Sequence, residues 1–301
     1  MFAGWRQFYY SKIGRVNREN PDFAKIQQKI FLKIFGRKLA QHRKTRYNSP
    51  MPCSYGIRDN PAVPVFGNKM AKKQFWAILD TETTINDTVA DFAIIICDRE
   101  GKIYNQCAVL VKNHFDKMEL FHDKNANDIW GYAGLHKRKA QYDAMLDSGV
   151  RMLASVNAIN KWINQAIGKY NPTLTAYNLA FDKSKCLNTG IDLSGFNAEF
   201  CLWQAATVNI CNSRKFKQFA LDNHAFNNVT AHGNMTFKTN AEIVCGFING
   251  EFKTEPHTAL EDAKDFELPI LTQIIKKRNW QDNIKPYNWK EFQTKDHFKP
   301  V

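Results

Sequence analysis

The chain has 301 residues, of which 44% are hydrophobic and 13% aromatic, so it can bury the core of one full domain plus an appendage, and global disorder is excluded. Its formal net charge is +13, and the excess is concentrated in residues 1–73, which contain 16 Lys and Arg against 3 Asp and Glu. A segment this basic attracts polyanions, either nucleic acid or an anionic membrane surface.

Cysteine content and hydropathy indicate the compartment. The seven cysteines include no Cys-x-x-Cys pair, which favours neither a disulfide framework nor a zinc cluster and fits a reducing cytosol. The first residues lack the apolar core of a signal peptide, and no later run approaches the roughly 18 apolar residues of a membrane span. We therefore expect a cytoplasmic protein with no membrane partner.

Residues 1–70 are predicted to form a basic N-terminal extension. Asn20-Pro21 is typical of a helix start, and apolar residues then recur at helical spacing over residues 23–35 with lysines among them, which predicts a basic amphipathic helix. Residues 48–67 are rich in Pro and Gly and indicate an extended linker.

Three roles for this extension remain open. Its aromatic residues lie among basic ones, so they could stack on the bases of a single strand while the cations contact phosphates. Alternatively, the aromatics pack on the folded domain and the cations are only solvated. The third alternative is attachment of the amphipathic helix to an anionic membrane surface. The aromatic residues concerned are Trp5, Phe8, Tyr9 and Tyr10.

Strand patterns begin after residue 70. Residues 75–79, 89–97 and 103–111 are rich in β-branched and aromatic side chains, which predicts three successive strands and an antiparallel start to a sheet. Helical and strand patterns then alternate, which predicts a mixed β-sheet flanked by helices over residues 71–280, followed by a C-terminal tail over residues 281–301. The later predicted elements are a helix over 144–167, a strand over 174–177, a helix from Phe181, a strand near 200–203, and a helix over 258–277 kinked at Pro269.

Two acidic residues follow the first predicted strand. Residues 75–79 are apolar at every position and lead directly into Asp80-Thr81-Glu82. In an extended chain residues i and i+2 point to the same side, so the carboxylates of Asp80 and Glu82 should face one spot. An isolated Asp-x-Glu is more often a solvated turn, but two adjacent like charges also suit a bound cation.

Two further segments carry acids at the ends of elements. Asp182 lies early in the helix that follows the strand over 174–177, where an ordinary helix cap is the simpler interpretation. Asp262 lies beside the apolar stripe of the last helix, where a buried charge needs a partner. His257 precedes that helix, and a lone histidine is more often structural than catalytic.

Taken together and in this order, these residues resemble the DEDDh family of 3′-to-5′ exonucleases. The three motifs read Asp80-x-Glu82, Asn178-x-x-Phe181-Asp182 and His257-x-Ala259-x-x-Asp262. The resemblance covers about residues 74–278 and implies an α/β fold of the ribonuclease H-like type. One departure is Ile85, which stands where relatives often have Gly.

The resemblance also implies a mechanism. Asp80, Glu82, Asp182 and Asp262 would hold two Mg²⁺ or Mn²⁺ ions, hard cations that prefer oxygen ligands. His257 would be the general base that takes a proton from the attacking water. By motif position, the residues contacting the terminal nucleotide would be Thr83, Thr84 and Asn178.

The motifs leave the substrate open. We expect hydrolysis of DNA from single-stranded 3′ ends, with release of nucleoside 5′-monophosphates. An exoribonuclease is the alternative, because the same acids serve both sugars. A non-catalytic nucleic-acid-binding module on the same fold is disfavoured by the presence of all four acids and the histidine. Association with a polymerase and a homodimer both remain open.

Overall fold

The computed structural model describes residues 73–227, 235–282 and 284–294. The basic extension predicted over residues 1–70, with its amphipathic helix and linker, lies outside these ranges. Within them the chain forms an α/β fold, in which helices flank a mixed six-stranded sheet. None of the helices in the described ranges has both the length and the apolar character needed to cross a bilayer.

The sheet has the strand order β4-β3-β2-β1-β5-β6. Strands β1, β2 and β3 pair antiparallel, as predicted, whereas β5 and β6 continue the sheet parallel to β1, and β4 pairs parallel with β3. The prediction of an α/β fold with a mixed sheet and flanking helices is thereby confirmed. The strands are β1 (Trp76–Thr83), β2 (Val89–Cys97), β3 (Ile103–Val111), β4 (Leu153–Ala154), β5 (Thr173–Ala176) and β6 (Glu199–Cys201).

Eight α-helices lie in the described ranges, together with a two-stranded pair formed by β7 (Phe226–Asn227) and β8 (Thr236–Phe237). Two segments are π-helical, Thr207–Cys211 and Ala263–Glu267, and Trp289–Phe292 is a 3₁₀-helix. The α-helices are α1 (Tyr132–Asp147), α2 (Val156–Tyr170), α3 (Leu179–Thr189), α4 (Leu202–Ala206), α5 (Arg214–Asp222), α6 (Ala241–Asn249), α7 (Ala259–Asp262) and α8 (Leu268–Ile275).

The single helix predicted over residues 144–167 is wrong. The structure has α1 ending at Asp147 and α2 starting at Val156, with the short strand β4 between them. Gly149 adopts a left-handed conformation with φ +74°, which suits the exit of a helix, and the Ser155 hydroxyl caps α2 by accepting a hydrogen bond from the Ala158 N–H.

The last predicted helix is present but irregular. Instead of one α-helix over residues 258–277, α7 leads into the π-helical segment Ala263–Glu267 and then into α8. Pro269 lies in the first turn of α8, where its missing N–H would have bonded into the segment before it. Part of the predicted tail packs on the domain, since Phe292 is buried in a core cluster and Gln293 bridges to Thr236.

Strand β1 separates two cores. Trp76 and Ile78 pack with residues of α4 to α8, whereas Ala77 and Leu79 pack with residues of α2 and α3 on the opposite face. The alternation of side chains continues past the apolar residues, because β1 extends through Thr83 instead of stopping at Leu79. Asp80 and Glu82 therefore point toward the face that the last helix covers.

Candidate active site

Four of the five predicted catalytic residues line one cavity of about 370 Å³. Asp80 and Glu82 reach it from β1, and Asp262 reaches it from the end of α7. His257 lies just before α7 and closes the same side. These residues are distant in sequence. They meet here because the short helix α7 packs across the end of β1.

Three of these residues lie close enough to share one ion. Glu82, His257 and Asp262 each offer one ligand atom, and these atoms lie within 4.8 Å of one another. One oxygen of Asp262 accepts a hydrogen bond from the Thr258 N–H at 3.0 Å. Its other oxygen, Oδ1, is buried and has no hydrogen-bond partner among the described residues, and the same holds for Asp80 Oδ2.

The acids of the cavity hold protons more tightly than free carboxyl groups do. Burial raises the pKa of Glu82 to about 8, helped by the negative charge of Asp91, and raises the pKa of Asp262 to about 9, helped by Glu82. Burial also raises the pKa of Asp80 well above its usual range, and the charge of Glu267 contributes next. Both the burial of these carboxylates and the repulsion among them favour the binding of a cation in the cavity.

His257 is held by an aromatic ring and by its backbone. The indole of Trp130 lies 4.5 Å from the imidazole, centroid to centroid, and the His257 backbone is left-handed with φ +54°. The Tyr142 hydroxyl donates to the His257 carbonyl at 3.3 Å. Burial lowers the pKa of His257, so the ring is neutral at neutral pH and can accept a proton.

A buried ionic network fixes the start of α7 to β2. Asp91 is fully buried, and its carboxylate accepts hydrogen bonds from the Ala259 N–H at 3.0 Å and the Tyr142 hydroxyl at 3.2 Å. The buried guanidinium of Arg151 lies 3.4 Å from Asp91 and also pairs with Glu261. Asp91 stands opposite Glu82 in the β1–β2 pairing, so this network supports both sides of the cavity.

The fifth predicted catalytic residue, Asp182, is not among the residues that line the cavity. Its Oδ1 accepts a hydrogen bond from the Thr81 hydroxyl at 2.8 Å, on the other face of β1 from Asp80 and Glu82. Asp182 is buried and lies outside the described lining of the cavity. Its charge still raises the pKa of Asp80, so it lies within electrostatic reach of the site.

The three predicted substrate contacts differ in position. Asn178 lines the cavity, at the left-handed residue that precedes α3. Thr84 is fully buried and its hydroxyl hydrogen-bonds that of Thr88 at 2.8 Å, within the turn after β1. Thr83 is buried, and its carbonyl accepts a hydrogen bond from the Phe121 N–H at 2.8 Å. Thr83 and Thr84 therefore shape the turn and lie outside the described lining.

Sequence reasoning missed two acids of the cavity and the acid of the network. Glu255 and Glu267 both line the cavity, and burial raises the pKa of Glu255 to about 7. Glu267 gave no signal because it is five residues from Asp262, which is not a shared face of an α-helix. Asp91 did give a signal in the sequence, because it is the one charged residue in a nine-residue strand.

Aromatic and amide residues also line the cavity. Tyr177 and Trp203 are among the lining residues, and the Trp203 indole N–H donates to the Thr239 hydroxyl at 2.9 Å. Asn227 and Asn240 line the cavity as well. Flat rings and amides beside a group of acids suit a ligand that carries both a planar heterocycle and a metal-bound anion.

Neither the protein-family models nor the curated proteins include a match to this sequence. The donors of the site are carboxylate oxygens and one imidazole, and buried oxygens of Asp80 and Asp262 lack hydrogen-bond partners among the described residues. This donor set fits Mg²⁺ or Mn²⁺, which prefer oxygen ligands.

Proposed function

We propose that the protein is a metal-dependent exonuclease that removes nucleotides from the 3′ ends of DNA, with single-stranded ends as the preferred substrate. The observation that carries this proposal is the convergence of Asp80, Glu82, Asp262 and His257 on one cavity. We also propose that the fold is of the ribonuclease H-like type. Three antiparallel strands followed by two parallel ones, with the acids on the central strand β1, support that assignment.

In this proposal Asp80, Glu82, Asp182 and Asp262 hold two divalent ions. When bound, such ions lower the pKa of a coordinated water and stabilise the charge that develops on the leaving oxygen. The partnerless oxygens of Asp80 and Asp262 support this role, because burying them without hydrogen bonds is unfavourable unless a ligand satisfies them. Asp182 would bind through its other oxygen, because only Oδ1 accepts the hydrogen bond from Thr81.

His257 acts as the general base. Its imidazole adjoins Glu82 and Asp262, where an attacking water would bind, and its lowered pKa keeps it able to accept a proton. The tilted ring of Trp130 packs against the imidazole and limits its rotation, and the hydrogen bond from Tyr142 holds the His257 backbone.

The terminal nucleotide binds beside the aromatic and amide residues that line the cavity. Tyr177 and Trp203 offer ring faces on which a base can stack, which is a sequence-tolerant contact. Asn178 and Asn240 offer amide donors and acceptors to the sugar or the base edge. The basic extension, predicted from the sequence alone, would add phosphate contacts.

The test is digestion of 5′-labelled single-stranded DNA, recessed duplex DNA and single-stranded RNA, each with Mg²⁺ and with EDTA. We expect a descending ladder from single-stranded DNA that requires Mg²⁺. Cleavage of RNA alone would make the protein an exoribonuclease, and internal cuts independent of an end would make it an endonuclease. No cleavage of any substrate in Mg²⁺ or Mn²⁺ would contradict the proposal.

Variants make this test specific to the site. His257→Gln should lower turnover by about 100-fold or more, since general bases contribute roughly 10²–10⁴. Asp80→Asn should also lower turnover, because it removes a charged ligand of the ions that stabilise the leaving oxygen. The control is Asp143→Asn, because Asp143 lies on the surface of α1 and, among the described residues, forms an ion pair only with exposed Lys139 at 3.7 Å. Circular dichroism should find all three variants folded.

A further inference from the structure

Glu267 reaches the cavity because of the π-helical segment Ala263–Glu267. In an α-helix, residues five apart point in different directions, since each residue turns the chain by about 100°. In a π-helix the hydrogen bonds join residues five apart, so Asp262 and Glu267 can face the same side. Both residues line the cavity that Asp80 and Glu82 enter from β1.

The two oxygens of Glu267 have different surroundings. Oε1 accepts a hydrogen bond at 3.0 Å from the N–H of Tyr177, the residue that follows β5. Glu267 is only 3% exposed, so water does not readily reach its side chain. Its Oε2 is buried and has no hydrogen-bond partner among the described residues. Accepting the hydrogen bond from Tyr177 needs only Oε1 of Glu267. That bond therefore does not explain why Oε2 is also buried at the cavity.

The charge of Glu267 acts directly on the other acids. Among neighbouring charges, Glu267 contributes most to raising the pKa of Asp80, ahead of Asp182, Asp262 and Glu82. Asp182, the acid expected beside Asp80 from the sequence, accepts a hydrogen bond from the Thr81 hydroxyl through Oδ1 and is not among the residues that line the cavity. Glu267 lines the cavity together with Asp80, and its buried Oε2 has no hydrogen-bond partner among the described residues.

We propose that Glu267 is a further carboxylate ligand of the divalent ion that Asp80 binds. This inference rests on the proposed function, because it concerns the ions of the same site. Oε2 supplies the ligand atom, while Oε1 keeps its bond to the Tyr177 N–H and fixes the direction of the carboxylate.

The test measures Mn²⁺ binding to the full chain by isothermal titration calorimetry at pH 8, without nucleic acid. Glu267→Gln keeps an oxygen acceptor for Tyr177 but removes the charge. We expect this variant to lose one of two binding events or to bind Mn²⁺ at least about tenfold more weakly. Asp265→Asn is the matched control, because Asp265 is an exposed acid of the same π-helical segment.

Thermal unfolding separates a ligand from a structural acceptor. In EDTA, Glu267→Gln should be at least as stable as the wild type, because it removes repulsion among the acids, and Mn²⁺ should raise its Tm less. An unchanged affinity of Glu267→Gln for Mn²⁺ would overturn the inference. It would also be overturned if the variant had a lower Tm than the wild type in EDTA and Mn²⁺ raised its Tm as much as it raises that of the wild type. If Glu267→Gln does not fold, Glu267→Asp retains the charge with a shorter reach and should also bind Mn²⁺ more weakly.

The outcomes distinguish this inference from the proposed function. A wild type that degrades DNA and binds two Mn²⁺ ions, with Glu267→Gln binding them equally well, refutes only the role of Glu267. A wild type that binds no Mn²⁺ and degrades no nucleic acid refutes both.

Discussion

At the scale of single residues, the contact between Trp130 and His257 restricts the imidazole: the ring centroids lie 4.5 Å apart, with the ring planes tilted by 56°. Trp130 is itself held from another side, since the Arg138 guanidinium lies 4.8 Å from the centroid of its ring. The arrangement keeps the histidine partly shielded from water, which is the main cause of its lowered pKa. Orientation and proton affinity of the candidate base thus depend on one aromatic side chain.

Trp130→Ala should therefore change His257 in two measurable ways. We expect the pKa of His257, followed by NMR, to rise toward the ordinary value of about 6.5, because water reaches the exposed ring. We expect kcat to fall by about tenfold or more as the ring gains freedom. Trp130→Phe should retain most of both properties. A variant with the wild-type histidine pKa and kcat would contradict this role.

The sequence predicted the residues whose signal is local. Asp80 and Glu82 could be paired by the two-residue repeat of a strand, and His257 and Asp262 by their motif. The hydrogen bond between Asp182 and Thr81 could not be predicted, because the two residues are 101 positions apart. Glu267 could not be predicted either, because sequence periodicity assumes α-helical spacing and the structure departs from it at that turn.

At the scale of elements, the same contrast holds. The bounds of β2 and β3 match their predictions, since each segment is rich in β-branched and aromatic residues. The helix predicted over 144–167 failed because β4 is only two residues long and is defined by its pairing with β3. Short elements of this kind take their conformation from tertiary contacts, which no local pattern encodes.

The attachment of α7 to β2 can be tested through Arg151. Arg151→Met leaves the carboxylate of Asp91 fully buried without its cation, and breaking such a pair typically costs about 3–5 kcal/mol. We expect a loss of this size in the free energy of unfolding, measured with urea. Lys139→Met removes the exposed pair with Asp143 and should cost about 0.5 kcal/mol or less. Similar small losses in both variants would show that the network does not anchor the helix.

At the scale of the whole molecule, the buried acids oppose folding when no ion is bound. The pKa of Asp182 is raised by burial to about 7, that of Glu82 to about 8 and that of Asp262 to about 9. The folded chain therefore binds more protons than the unfolded chain between the ordinary carboxyl pKa, about 4, and pH 9. The stabilising contribution of these groups is complete at the acid end of this window and is lost as the pH rises through the folded pKa values.

Urea unfolding in EDTA should therefore give a free energy that falls from pH 5 to pH 9. The decline should be shallower in Glu82→Gln, which removes one of the titrating groups, and Mn²⁺ should restore more stability at pH 9 than at pH 5 because the ion replaces protons. A free energy in EDTA that rises across this range would contradict the shared burial of these acids.

Strand β1 has a consequence for how this protein can change through evolution. The side chains of Trp76 and Ile78 pack in the core formed with α4 to α8. The next two residues on that side of the strand are Asp80 and Glu82. Inserting or deleting one residue before Asp80 would exchange the two sides of the strand, turning the acids inward against α2 and α3. Changes in the length of this strand therefore disrupt the interior and the acids together, whereas substitutions at Trp76 or Ile78 leave the register of the acids unchanged.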